Sequence, residues 1–320
     1  MFSSKFDPKK DLVDLKGKVV IVTGGNRGIG YATVQHLARA GAKVYMATRS
    51  EDKAKEAIES LKKSRVDPGE VAYLKLDLND PKQAKRAAEE FATKETRLDI
   101  LVNNAAMISS PFELTEDIST MIMVNHIGPF VFTQSLLPIL TSTAMEPNSD
   151  VRIVNVTSKA HQLTPGPIKF ETIDDFKPEY KDKFLGGFLR YCHSKLLNIP
   201  WSRSLQHRFD KADPTPIPIT VIAIHPGGVD TFSHRWPLPW LWKPIVGLAI
   251  NSPEMGAYTS VFAAASKKVR EEKERGKYRA AYLESHPPGH FAKPKKEALD
   301  EKVAEDLWRL TEEYLKRFES

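Results

Sequence analysis

Tyr191 and Lys195, in the run YCHSK, stand four residues apart. On a helix that spacing turns both side chains to one face. A free phenol titrates near ~10, but a cation within about 4–6 Å lowers an acid's pKa by about 1–3 units. The pair therefore reads as a proton donor and acceptor, or equally as a buried tyrosine beside a solvated lysine. A second constellation, KVVIVTGGNRGIG, runs from Lys18 to Gly30. Its apolar run at 19–22 suits a strand buried on both faces. Gly24, Gly25, Gly28 and Gly30 follow, and then Ile29, Val34, Leu37 and Ala38 fall at helical spacing. A strand, a glycine turn and a helix in that order gather backbone N–H groups at a positive helix end, where a pyrophosphate docks. Glycine is required because side chains would hold the backbone away from the phosphates.

These residues need a scaffold, and the rest of the chain supplies one. Strands are expected at 43–47, 71–76, 100–102, 152–156 and 219–224. Between them, helices are expected at 51–63, from Pro81 to about Lys94, at 114–140 with an interruption near Gly128 and Pro129, and at 188–209 with a kink at Pro200. Such alternation predicts an α/β fold, a doubly wound parallel sheet of the Rossmann type whose ligands sit beyond the carboxyl ends of its strands. One domain is expected over 1–320, with a core at about 15–232 and a C-terminal helical extension at about 295–320. In that extension Val303, Leu307, Leu310 and Tyr314 recur at helical spacing. Two irregular stretches, 159–187 and 232–250, suit binding loops. The second holds Trp236, Leu238, Trp240, Leu241 and Trp242. It reads as a lid over a lipophilic substrate, as a segment packed on the core, or as one resting on a membrane surface.

The order of the motifs resolves the even reading of the tyrosine–lysine pair. Thr23-Gly24-x-x-x-Gly28-x-Gly30, Asn103-Asn104-Ala105-Ala106, Asn125, Ser158, Tyr191/Lys195 and Pro226-Gly227 resemble, in sequence order, the short-chain dehydrogenase/reductase family over roughly 15–232. VTGGNRGIG, IVNVTSKAH, YCHSKLLNI and HPGGVDT look most like its retinol dehydrogenase-like and WW-domain oxidoreductase-like branch, and like fungal members. The resemblance implies that Tyr191 exchanges the proton with the substrate oxygen and that Lys195 lowers its pKa and holds the nicotinamide ribose. It implies that Ser158 hydrogen-bonds the carbonyl oxygen and that Asn125 holds a water linking Lys195 to solvent. Asp77 would accept from the adenine amine, Asn103 would line the cofactor, and Pro226, Gly227, Val229 and Thr231 would meet the nicotinamide end. Thr23, Gly24, Asn26, Arg27, Gly28, Ile29, Gly30, Arg49, Leu78, Asn104 and Ala105 complete the implied cofactor set. The family often forms homodimers through its long helices.

The residue after the second strand bears on the cofactor. An NAD enzyme of this fold places a carboxylate there for the ribose 2′-hydroxyl. Here Thr48 is followed by Arg49, and Arg27 lies in the glycine turn. Two arginines suit a 2′-phosphate, which points to NADP(H). The leading expectation is an NADP(H)-dependent enzyme interconverting a carbonyl and an alcohol. The rivals are an NAD-dependent alcohol dehydrogenase of the same fold and a cofactor-binding regulator without turnover.

Composition bounds the remainder. The 320 residues are 41% hydrophobic and 28% charged, a soluble globular balance. The single cysteine, Cys192, excludes an internal disulfide and suits a reducing compartment, the cytoplasm. Cys192 points away from Tyr191 on a helix and reads as a packing residue. The charged N-terminus is not expected to be a signal or an anchor. The apolar segment 236–250 carries Lys243 and three prolines and falls short of the roughly 20 residues a spanning helix needs. The net charge of +6 is scattered among acids without a basic stripe, so nucleic acid is not an expected partner. Nine histidines raise the question of metal, but His286 and His290 read as residues of a Pro/Gly loop, and no metal is expected.

Overall fold

Val19–Thr23 (β1) is buried along its whole length. Val19 and Ile21 enter one hydrophobic core, while Val20 and Val22 enter a second on the opposite face. That two-sided burial is why the strand reads as an unbroken apolar run. In the computed structural model, residues 6–64, 66–108, 111–183, 185–227, 252–271 and 276–318 are described. Val229, Thr231 and the whole 232–250 loop lie outside them.

Lys43–Thr48 (β2), Glu70–Lys75 (β3), Ile100–Asn103 (β4), Val151–Val156 (β7) and Ile219–Ile224 (β8) pair in parallel around β1. The edge is completed by Ala281–Ser285 (β9), parallel to β8, and Pro288–Phe291 (β10), antiparallel to β9. The order is β10-β9-β8-β7-β4-β1-β2-β3. The chain therefore reverses direction across the sheet between β1 and β4, which opens a crevice at their carboxyl ends. On one face lie Pro81–Lys94 (α4), Gly128–Ala144 (α6), Gly186–Asp210 (α7) and the C-terminal Glu301–Leu315 (α10). On the other lie Gly28–Arg39 (α2), Glu51–Lys63 (α3) and Pro253–Ala265 (α8).

Local chemistry sets the helix starts. Asp80 caps α4 by accepting from Gln83 N at 3.1 Å, with Pro81 in the first turn, where its missing donor is harmless. The helix α7 runs on through Pro200.

Three expectations are corrected. The helix expected at 114–140 begins only at Thr120. Residues 114–119 form instead a small hairpin, Leu114–Thr115 (β5) with Ile118–Ser119 (β6), turning through Glu116 and Asp117 at φ 49° and 64°. Contacts from the far end of the chain hold that turn: Tyr314 Oη donates to Glu116 O at 2.7 Å, and Arg317 reaches Asp117 Oδ2 at 3.2 Å. The interruption near Gly128 and Pro129 takes the form of a π-helical turn, Met123–Ile127, just before α6. The expected His286/His290 loop is the β9–β10 hairpin. Gly289 turns there at φ 82°, where a Cβ would come within 2.3 Å of the Phe262 ring. Lastly, α8 appears where no element is expected, a helix buried nearly throughout beyond its exposed first turn and without an amphipathic stripe to reveal it.

Helix 120–144 is long and apolar enough to cross a membrane by length and composition, yet most of it is buried inside the fold.

Candidate active site

Thr23 closes β1 and ties it to the turn after β4. Its Oγ1 accepts from Asn104 N at 3.0 Å and Ala105 N at 2.9 Å, and Asn104 Nδ2 donates back to Thr23 O at 2.9 Å. Gly24 N reaches Ala47 O at 2.8 Å, so the ends of three neighbouring strands are laced together. Gly24 and Gly28 have φ of 65° and 57°, which only glycine adopts without strain. At Gly30 a Cβ would sit 2.3 Å from Gly24 O and 2.5 Å from Asn104 Nδ2. The turn is thus packed too tightly for any side chain. Arg27 occupies the N-cap of α2 with extended backbone and no side-chain cap, which leaves the first N–H groups of the helix for an outside acceptor.

The neighbouring strand ends give this crevice its polarity. Thr48, the last residue of β2, donates from Oγ1 to Asn26 Oδ1 at 3.2 Å. Arg27 and Arg49 are both exposed, and neither has an ion-pair partner among the described residues. Beyond β3, Asp77 Oδ1 accepts from Asn79 N at 3.0 Å. Leu78 is buried, and its carbonyl lies so close to Gly128 that a Cβ there would approach within 2.2 Å. Ile29 is half-buried against the second core. Asn103, expected to line the cofactor, is instead buried, with Nδ2 donating to Asn155 Oδ1 at 2.9 Å and Thr133 Oγ1 at 3.0 Å. Strand alternation turns Asn103 inward and leaves Asn104 at the turn.

Across the sheet, Ser158 follows β7, and Tyr191 and Lys195 lie one turn apart on α7. The Tyr191 hydroxyl neighbours the Ser158 side chain. Burial pushes the phenol up to about 12, with the serine contact pulling the other way. Lys195 is buried, and Nζ donates to Val156 O at 2.7 Å. Desolvation pushes this ammonium down to about 7. Burial is the leading influence on the phenol, and the Lys195 ammonium is engaged by the Val156 carbonyl. Thr157, which the sequence reading passes over, donates from Oγ1 to Lys195 O at 2.5 Å and binds α7 to the end of β7.

Asn125 sits in the π turn, a helical irregularity that recurs at functional sites. Its Oδ1 accepts from Met107 N at 2.7 Å, and Nδ2 donates to Met107 O and Ser194 Oγ, each at 2.8 Å. The side chain thus clamps the segment after β4 onto α7, between Tyr191 and Lys195. Cys192 is buried and free, as a packing residue should be. Pro226 and Gly227 are buried beyond β8, Gly227 at φ 95°.

A doubly wound sheet with a phosphate-ready turn at its switch point defines a dinucleotide-binding protein, and the Ser–Tyr–Lys cluster beside it suits redox chemistry at a carbonyl or alcohol carbon. Comparison with known proteins agrees. Residues 18–167 match the short chain dehydrogenase family model. A short-chain dehydrogenase/reductase of Armillaria gallica is 40% identical over 99% of this chain and 98% of its own. Mouse retinol dehydrogenase 11 is 37% identical over 79% of this chain and 74% of its own. A solved structure of an uncharacterised protein from Mycobacterium paratuberculosis superposes with a TM-score of 0.71 at 28% identity, covering 98% of both chains. The chain belongs to the short-chain dehydrogenase/reductase family, whose members are NAD(P)-dependent oxidoreductases.

Proposed function

We propose that this protein is an NADP(H)-dependent oxidoreductase that interconverts a carbonyl and an alcohol on a lipophilic substrate. The observation that carries the reading is that Ser158, at the end of β7, neighbours Tyr191 on the helix that also bears the buried Lys195. Tyr191, protonated at neutral pH, donates to the substrate oxygen during reduction and recovers that proton during oxidation. Ser158 hydrogen-bonds the same oxygen as negative charge grows on it. Lys195 uses one N–H on Val156 O; its others are suited to ribose hydroxyls, which would compensate a buried charge. Asn125 keeps α7 in register with the segment after β4 and would hold a water linking Lys195 to solvent. The cofactor, when bound, supplies or accepts the hydride.

The cofactor residues follow the crevice. The uncapped start of α2, with Gly24, Gly28, Ile29 and Gly30, takes the pyrophosphate, and Asp77 takes the adenine amine. Thr23, Asn104 and Ala105 frame the middle, and Pro226, Gly227, Val229 and Thr231 the nicotinamide end. Arg27 and Arg49, without an ion pair among the described residues, grip the 2′-phosphate, and Asn26 and Thr48 line the approach without a repelling charge. On the substrate side, Leu185 and Phe188 are exposed, and the Phe188 ring lies 6.3 Å from that of Tyr191. Retinol, named in the mouse relative, is an apolar alcohol of the class such a surface accepts.

Steady-state kinetics with NADPH and NADH test the reading. A charged hydrogen bond contributes about 1.5–3 kcal/mol, so Arg49→Ala is expected to lower kcat/KM with NADPH roughly 10–100-fold. NADH kinetics should barely change, and Thr48→Asp should shift preference toward NADH. Wild-type preference for NADH, or equal weakening of both cofactors by Arg49→Ala, would overturn the assignment.

A further inference from the structure

His161 stands three residues after Ser158 and is fully buried. Its Nδ1 lies 2.6 Å from Ser158 O, and its Nε2 lies 3.1 Å from the main-chain nitrogen of Lys295. A main-chain N–H can only donate, so Nε2 presents its lone pair and Nδ1 carries the hydrogen. The neutral ring therefore donates to the Ser158 carbonyl. Burial holds its pKa below the usual histidine value, which keeps this tautomer. The ring packs edge-on against Tyr282 at 5.2 Å. Around it, Gln162 Nε2 reaches Lys293 O at 3.3 Å and Lys295 Nζ reaches Thr164 O at 2.5 Å, so the turn after Ser158 is strapped to the segment before α10.

We propose that His161 is a positioning residue: it ties the Ser158 carbonyl to the C-terminal strap and thereby aims the Ser158 hydroxyl at Tyr191 and the substrate oxygen. One residue's φ and ψ set the directions of both its carbonyl and its Cβ. Pinning the carbonyl of Ser158, at φ −152° and ψ 145°, thus fixes where its Cβ points and so the arc of positions its Oγ can take. The local turn also contributes, with Ser158 O accepting from His161 N at 3.0 Å and Ser158 Oγ from Ala160 N at 3.2 Å; the histidine ring adds the tie from that carbonyl to the C-terminal strap. The inference rests on the oxidoreductase reading above.

The test compares His161→Ala, His161→Asn and His161→Gln in the full-length chain. An asparagine amide nitrogen can stand where Nδ1 does and keep the bond to Ser158 O. A glutamine side-chain oxygen can stand where Nε2 does and keep only the Lys295 contact. His161→Ala is expected to lower kcat about 10–100-fold, as loss of an orienting partner does, with NADPH Kd within about twofold. Asparagine should restore most of the rate, and glutamine should not. In a Ser158→Ala background, His161→Ala should lower kcat no further. Rescue by glutamine alone, or the same penalty without the serine hydroxyl, would show a purely structural tie and overturn the proposal. Imidazole 15N NMR of the wild-type protein reads the tautomer without turnover, and Nε2–H would also overturn it. Absence of any carbonyl turnover by the wild type would count against the functional reading, whereas normal turnover by His161→Ala would count against this inference alone.

Discussion

At the scale of single residues, the proton of Tyr191 is held tightly. Burial pushes the phenol up to about 12, and Lys195, itself pushed down to about 7, faces the Val156 carbonyl. A neutral phenol is ready to donate, so Tyr191 itself should impose no pH dependence on carbonyl reduction across the neutral range. Alcohol oxidation needs the phenol to accept a proton and should speed up as pH rises. Rate profiles in the two directions check the difference. Replacing Tyr191 with phenylalanine removes the donor and keeps the ring, and a general acid contributes about 10²–10⁴-fold. The variant should lose that much in kcat while its NADPH Kd, read by fluorescence titration, stays near wild type. Unchanged turnover would refute the role given to Tyr191.

At the scale of elements, much was legible because each signal was local. Ile219–Ile224 is an unbroken buried strand, and it is found as expected. Tyr191 and Lys195 were legible as a pair because helical spacing alone puts them together. The hairpin at 114–119 was hidden because its left-handed turn is held by Tyr314 and Arg317, about 200 residues away in sequence. The clamp from Asn125 to Met107 was hidden for the same reason: a main-chain partner leaves no mark on residue type. His161 had a signal, its place three residues after Ser158, but only the strap at Lys295 gives that place a meaning. The glycine turn offers a test at this scale. A methyl at Gly30 would meet Gly24 O and Asn104 Nδ2, both tied into the strand ends, and overpacking of this kind costs about 1–3 kcal/mol. Gly30→Ala should lower Tm, and the shifted turn should weaken NADPH binding by more than the stability loss accounts for. Native affinity in the folded variant would show that the close approach at Gly30 is not needed for the cofactor.

At the scale of the whole molecule, α10 closes one face of the sheet and covers His126, and His193 is buried nearby in α7. His126 sits in the π turn with its Nε2 2.9 Å from Thr311 Oγ1 of α10. The Thr311 hydroxyl already donates to Leu307 O at 2.7 Å, so the histidine is the donor between them. Phe130, Phe176 and Trp201 surround the ring, and burial pushes its pKa down to about 3. His193, hydrogen-bonded to Tyr180 Oη at 2.9 Å, is likewise pushed down by burial to about 4. In the unfolded chain both would titrate near ~6.5. As pH falls below that value the unfolded state binds protons that the folded state refuses, so the stability present above pH ~6.5 is progressively lost. At pH 5 the difference is roughly 1.5 units for each ring, or about 2 kcal/mol apiece. Denaturant unfolding should accordingly show a steep loss of stability between about pH 7 and 5. His126→Phe, which keeps an aromatic ring in the cluster, removes one of the buried-histidine titrations. The variant should lose up to about 2 kcal/mol less than wild type over that interval, whatever its stability at pH 7. Parallel pH curves for the two proteins would mean that the cluster beneath α10 admits water enough for His126 to charge in place.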